Sequence, residues 1–188
     1  VPAKKSLIKS LRSDTVPVML SGDRIIIFDK KLVSRLAGRQ FGENTKEGLV
    51  LTLYEACFLL KEGKIPEPFC SGSEGKALSL KELLCIGEDL TPAFLMKFQV
   101  FCDLRKKRGF VVKSGIKFGC DFACYDKGTK IGASHSKWLI RIIPETAKID
   151  YSEITGAARM AQAVKKRLLL ASATERGPVY YEINHSRP

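Results

Sequence analysis

Residues 135–143, HSKWLIRII, constrain the fold more than any other stretch of this chain. Trp138, Ile140 and Ile142 alternate with Leu139 and Ile143, so the run is apolar on both of its faces. Successive side chains of a β-strand point to opposite faces. An apolar set on each face therefore predicts a central strand, covered on both sides.

The segments around it supply neighbours and cover. Residues 110–113 and part of KFGCDFACY read as strands. Asp150 or Ser152 opens a helix whose Ala157, Met160, Ala161 and Val164 recur at helical spacing. RLLLASA and VYYEI flank ERGP as a hairpin. Earlier in the chain, PVMLSGDRIIIF reads as two strands around a Ser-Gly-Asp turn, and Asp29 caps a short helix, KKLVSRLA, that Gly38 ends. Residues 38–48 have no periodicity and read as an exposed loop. Thr52 with Glu55, and Ser79 with Glu82, are capping boxes. The first opens a helix with the apolar stripe Leu53, Ala56, Cys57 and Leu60, and the second a helix ending near Gly87. Residues 66–75 read as a Pro/Gly/Ser loop. Thr91-Pro92 starts a further helix, which ends at Gly109 with four cations in its last turns, where the helix dipole favours them. The expected class is α+β: a small N-terminal α/β domain over residues 1–88, then a C-terminal domain over 89–188 with a mixed sheet flanked by helices.

Net charge is +12, from 32 Lys+Arg against 20 Asp+Glu. Such an excess points to a polyanionic partner, because phosphate contacts release counterions. No apolar run approaches the roughly 18 residues of a membrane span, and the basic N-terminal stretch lacks a signal peptide's apolar core. A soluble, cytoplasmic protein without a membrane partner is expected. The six cysteines form no CxxC pair and have no histidine at ligand spacing, so most are expected as core thiols and no metal site is expected. Only two Asn and three Gln occur, which suggests a heat-adapted source, where intracellular disulfides are an option.

Several chemistries fall away. Glu62-Gly-Lys64 and Glu74-Gly-Lys76 match the Glu-x-Lys of metal-dependent nucleases, but lie at a helix end and in a loop. Neither GxxxxGK[ST] nor GxGxxG is present, so no nucleotide cofactor is expected. What remains is one of the chain's two histidines, His135, at the mouth of the central strand, with Tyr125 ten residues before it and an Asp-Lys-Gly turn between. By spacing alone the two also fit a strand-end histidine and a core aromatic.

The run RKKRGFVVKSGIKFGCDFACYDKG, followed by HSKWLIRI, resembles the catalytic domain of the archaeal tRNA-splicing endonucleases. Gly109-Phe110, Val112-Lys113, Gly115, Lys117-Phe118-Gly119, Asp121-Phe122, Tyr125, His135-Ser136 and Trp138-Leu139 match that family's pattern, as do Arg159, Val164 and Lys166. LVLTLYEACFLLKEGKI resembles its first-domain segment.

The resemblance implies a metal-free RNA cut at intron boundaries of precursor tRNA, within a bulge-helix-bulge fold, leaving 2′,3′-cyclic phosphate and 5′-hydroxyl ends. By position, Tyr125 carries over as general base, His135 as general acid and Lys166 as the cation facing the phosphorane. Arg159 carries over as one half of a clamp on a bulge base. Tyr181, Tyr180 or Arg187 stands for the other half. Residues 38–48 resemble an insertion of crenarchaeal members, and its Arg39 and Lys46 are candidate RNA contacts. The turn TERGP matches a loop that inserts into a neighbouring subunit. The family implies a second, related subunit, with two catalytic and two structural chains. The alternative is that this chain is the noncatalytic, RNA-binding or structural subunit. Retention of Tyr125, His135 and Lys166 favours the catalytic one.

Overall fold

A computed structural model describes residues 18–70, 76–129, 131–132 and 134–186. The chain divides between Pro92 and Ala93 into two compact units.

In the first unit, β1 (Val18–Ser21) and β2 (Arg24–Ile27) form an antiparallel hairpin. Asp29 follows, its side chain accepting from Leu32 N at 2.6 Å to cap α1 (Lys30–Ala37). Then come β3 (Glu43–Asn44), β4 (Leu49–Thr52), α2 (Leu53–Lys61), β5 (Phe69–Cys70) and α3 (Leu80–Leu90). The sheet order is β3-β4-β2-β1-β5, antiparallel except for the β1–β5 pair. Both capping boxes form, at Thr52/Glu55 and at Ser79/Glu82.

Five local expectations are corrected here. The supposed loop at 38–48 contains β3, which pairs with β4, and β5 lies in the segment read as a Pro/Gly/Ser loop. Two-residue strands are too short to leave a periodic pattern, and tertiary pairing alone makes them. The α2 stripe is wider than Leu53, Ala56 and Cys57, because Phe58 and Leu59 are also buried while Leu60 is half-buried. Helix α3 runs through Gly87, itself buried, to Leu90. Thr91 therefore closes α3, donating its N–H to Gly87 O, rather than opening the next helix.

The second unit opens with α4 (Phe94–Lys106), preceded by Ala93 in the left-handed conformation with φ 56° and no side-chain cap. It continues with β6 (Val111–Ser114), a 3-10 turn (Ile116–Phe118), β7 (Phe122–Tyr125), β8 (Trp138–Ile142), α5 (Tyr151–Ala163), β9 (Arg167–Thr174) and β10 (Gly177–Ile183). The sheet order is β10-β9-β8-β7-β6, so β8 is central. The sheet is mixed: β8 and β9 run parallel and the other pairs antiparallel.

Register explains the doubly apolar sequence of β8. Leu139 pairs with Ala123 and Leu168, and all three face Ala157, Ala158 and Ala161 of α5. Their neighbours face the other way, where Phe122 meets Phe101 of α4 edge-on at 5.7 Å between centroids. Leu139 and Ile140 are wholly buried, worth roughly 1.5–3 kcal/mol each. Alanines let α5 approach closely; Val164, expected in its apolar stripe, is instead 38% exposed beyond its last turn. The Asp121 carboxylate fixes α4 to this sheet, binding Lys97 at 3.0 Å and accepting from Ile142 N at 2.7 Å.

Candidate active site

Strand direction gathers four chain ends at one end of the second sheet: the end of β7, the starts of β8 and β9, and the end of β10. Backbone bonds stitch the entry to β8 between its neighbours. Lys137 N donates to Cys124 O at 2.9 Å, and Arg167 N donates to Lys137 O at 3.0 Å. The Lys166 ammonium donates to Ser136 O at 2.7 Å. Tyr125, His135 and Lys166 thus sit on adjoining segments at this end. Tyr125 is half-buried, His135 exposed and Ser136, between His135 and the paired strand, buried. Alternation puts Tyr125 on the same face as Ala123, which is the α5 face.

A tight turn delivers Lys166. After α5, Lys165 takes a left-handed φ of 54°, and Lys166 N donates to Ala161 O at 2.9 Å. For a residue with a side chain this conformation costs on the order of 1 kcal/mol. A second turn brings a ring to it. A Cβ on Gly115 would lie 2.7 Å from the Phe122 carbonyl carbon, so only glycine lets residues 115–119 fold back so closely. The fold carries Phe118 onto the α5-side cluster, where its ring centroid lies 5.3 Å from the Lys166 ammonium. Partial burial, and then the nearby Lys117 ammonium, hold the pKa of Lys166 below the usual lysine value. A lowered pKa marks the cost of keeping a charge here, which an incoming anion would relieve.

The cysteines supply no nucleophile at this end. Burial pushes the Cys120 thiol up to about 11 and the Cys124 thiol up to about 12. Cys57, Cys120 and Cys124 are core thiols, but Cys70 and Cys102 are only half-buried and Cys85 is exposed, so the core accounts for fewer cysteines than expected. Among the described residues no three His, Cys, Asp or Glu side chains converge as a metal would require. No described helix is long and apolar enough to cross a membrane.

The outlying candidates scatter. Arg159 is exposed on α5, and Tyr181 is 63% exposed on β10. Tyr180 points the other way, its hydroxyl donating to the buried Asp103 carboxylate at 2.8 Å under the Arg108 guanidinium, 4.0 Å from the ring centroid. Burial, then that hydrogen bond, pushes its phenol well above the usual range. Tyr180 is therefore a structural tie between α4 and β10. Arg187 and Glu74 lie outside the described residues. Arg39 and Lys46 belong to the first unit; both are exposed, Lys46 in a turn closed by Thr45 N donating to Gly48 O at 2.8 Å.

Sequence reasoning missed a cavity of about 310 Å³ beside Lys166, lined by Gln162, Lys165, Asn184 and His185 over Ala158 and Ile183. His185 Nδ1 is buried there and has no hydrogen-bond partner among the described residues. Ile183 pairs with Leu168, so His185 comes level with Lys166. Only register reveals this, since nineteen residues of chain separate the two.

Residues 94–181 match a family described as tRNA intron endonuclease, catalytic C-terminal domain, and residues 16–84 match tRNA intron endonuclease, N-terminal domain. The chain is similar to a tRNA-splicing endonuclease of Methanococcus vannielii, 35% identical over 89% of this chain and 92% of that protein. It is similar to one of Thermococcus onnurineus, 37% identical over 90% and 96%, and to one of Pyrococcus furiosus, 36% identical over 89% and 95%. Tyr125, His135, Arg159, Lys166 and Tyr181 all fall within the first matched range, and Arg39 and Lys46 within the second.

Proposed function

The chain belongs to the tRNA intron endonuclease family, and from that membership we propose that it is the catalytic subunit of a tRNA-intron lyase, cutting introns out of precursor tRNA. Its second unit is the catalytic domain and its first the N-terminal domain. It acts in the cytoplasm, with a second related subunit, as two catalytic and two structural chains. Its cuts fall within bulge-helix-bulge RNA and leave 2′,3′-cyclic phosphate and 5′-hydroxyl ends.

The nucleophile is the RNA's own 2′-hydroxyl, adjacent to the scissile phosphorus, so proximity is built into the substrate. Tyr125, as phenolate, takes the 2′-hydroxyl proton while the 2′-oxygen bonds to phosphorus. The bond to the 5′-oxygen breaks, and His135 supplies the proton that oxygen needs. The Lys166 ammonium stabilises the added charge on the phosphorane. The observation that carries this reading is the Lys166–Ser136 hydrogen bond, which ties the cation to the segment bearing the histidine. Arg159 and Tyr181 grip a bulge base, and Arg39 and Lys46 hold RNA backbone.

The test is cleavage of a bulge-helix-bulge precursor by the chain alone and with its partner subunit, in excess chelator. Cleavage is expected with both subunits, with cyclic phosphate ends, and none when the 2′-hydroxyl at the cut is replaced by hydrogen. Loss of cleavage in chelator, restored by magnesium without a change in RNA folding, overturns the mechanism. Full activity of a homo-oligomer overturns the two-subunit assembly.

A further inference from the structure

Lys117 lies in the turn that folds back over the sheet, in the Lys117-Phe118-Gly119 run. Its ammonium stands 4.9 Å from the Phe118 ring centroid, and the Lys166 ammonium stands 5.3 Å from the same centroid. The ring is not free to leave, because Phe118 packs on the cluster of Ala123, Leu139, Ala158 and Ala161. Nor is Lys166, whose ammonium is tethered to Ser136 O.

Among the described residues neither ammonium meets a carboxylate. By contrast Lys97, Lys137, Arg141 and Arg167 of the same unit pair with Asp121, Asp126, Glu153 and Glu182. An aromatic face attracts a cation, but two cations on one ring also repel each other, and burial, then the Lys117 ammonium, holds the Lys166 pKa down. An ammonium has three donors, and the Ser136 carbonyl takes one from Lys166. Among the described residues both lysines therefore have donors to spare for phosphate oxygens.

We propose that Lys117 and Lys166 form a two-cation site for the RNA backbone, in which Lys166 faces the scissile phosphate and Lys117 holds a phosphate next to it. The inference rests on the role given to Lys166 above. Lys117 is exposed, so its ammonium reaches solvent and a strand laid along this end. Phe118 acts as the spacer that fixes the separation of the two charges.

The test uses the assembled enzyme and a precursor made uncleavable by hydrogen at the reactive 2′ position, titrated over a salt series. Lys117→Gln should weaken binding about 5- to 20-fold near physiological salt and make the slope of log K against log[salt] shallower by about one. Lys117→Arg, which keeps the charge, should restore both. Lys148→Gln, at an exposed lysine elsewhere in this unit, should change neither. Equal melting midpoints show that the fold is intact. Unchanged affinity and slope in Lys117→Gln overturn the proposal, and so does a Lys117→Arg variant as weak as Lys117→Gln. Lys166→Ala separates this from the reading beneath it. Slow cleavage by Lys166→Ala beside a parental Lys117→Gln sinks the Lys117 inference alone, whereas parental cleavage and binding by Lys166→Ala removes the role of Lys166 itself.

Discussion

The ammonium of Lys166 donates to the carbonyl of Ser136 at 2.7 Å, thirty residues away in the chain. Ser136 follows His135 and is 5% exposed, while His135 itself is exposed. The bond answers why a lone histidine precedes the apolar strand: the buried serine beside it anchors the segment, and the histidine is left at the rim. The same bond orders the tip of a long, flexible side chain, whose rotamer entropy would otherwise oppose a fixed position.

Lys166→Ala should lower the single-turnover cleavage rate by about 10²- to 10³-fold, the range for losing one preorganised electrostatic group. Lys166 is only half-buried, so the melting temperature should hold within a few degrees. Saturating enzyme isolates the chemical step. A parental rate there removes Lys166 from the reaction.

Glu55 joins the first unit's helix to its loop. Its buried carboxylate, 3% exposed, accepts from Gly42 N at 3.0 Å, Thr52 N at 3.1 Å and the Thr52 hydroxyl at 3.2 Å. Glu55→Ala leaves two backbone donors unmet and should cost roughly 2–4 kcal/mol in urea unfolding. Glu55→Gln, keeping one acceptor oxygen, should cost less. Gly42 lies within residues 38–48, so loosening it should weaken binding of poorly matched RNA, as should Arg39→Ala and Lys46→Ala. The single-turnover rate should stay unchanged. Unaltered RNA affinity in all of these variants would return Arg39 and Lys46 to the status of surface charges.

Stability should fall in alkali. A thiol ordinarily titrates near 9, but Cys120 is pushed up to about 11 and Cys124 to about 12 by burial. The Tyr180 phenol is raised further. Above pH 9 the unfolded chain loses thiol protons that the folded chain keeps, so the slope of unfolding free energy with pH is negative. The contribution of the two thiols is fully present below pH 9 and is lost between about pH 9 and 12. Melting temperatures taken across that window should decline steadily, with a flat profile between pH 7 and 8.5. In the native state at neutral pH, Cys85 should alkylate and Cys120 and Cys124 should not. Rapid labelling of Cys124 contradicts its burial.

Legibility followed range. The caps at Asp29, Thr52 and Ser79 were readable because each is a contact over three residues, and Asp150 was one of the two starts open for α5. Strand β8 was readable because burial on two faces writes itself into every position. Strands β3, β4 and β5 were not, since what makes them strands is pairing with other segments: β4 with β2, β5 with β1, and β3 with β4. Thr91-Pro92 misled because the left-handed Ala93 after it resets the chain direction. At the candidate site, residue types and order were visible in a motif, but partners were not. Lys117 shares the Phe118 ring with Lys166 only because the Gly115 turn folds back, and His185 lines the same cavity as Lys166 only through the register of β9 and β10.

The acid and base roles make opposite demands on the substrate, and this separates them. Loss of a general acid should slow cleavage by roughly 10²- to 10⁴-fold, so His135→Ala should bind precursor normally and cut it that much more slowly. The loss belongs in the single-turnover rate at saturating enzyme, because the imidazole acts on the departing oxygen only as the bond breaks. A 5′-phosphorothiolate at the cut has a leaving group that needs little protonation, and it should restore much of the rate to His135→Ala. It should not restore Tyr125→Phe, whose defect lies in removing the 2′-hydroxyl proton. Tyr125 has a further constraint from the sheet: it pairs with Val111 at the end of β7, so phenylalanine there keeps the strand and removes only the hydroxyl. Rescue of Tyr125→Phe but not of His135→Ala by the sulfur substrate reverses the two assignments. Normal cleavage of natural RNA by His135→Ala leaves the histidine as a strand-end residue and nothing more.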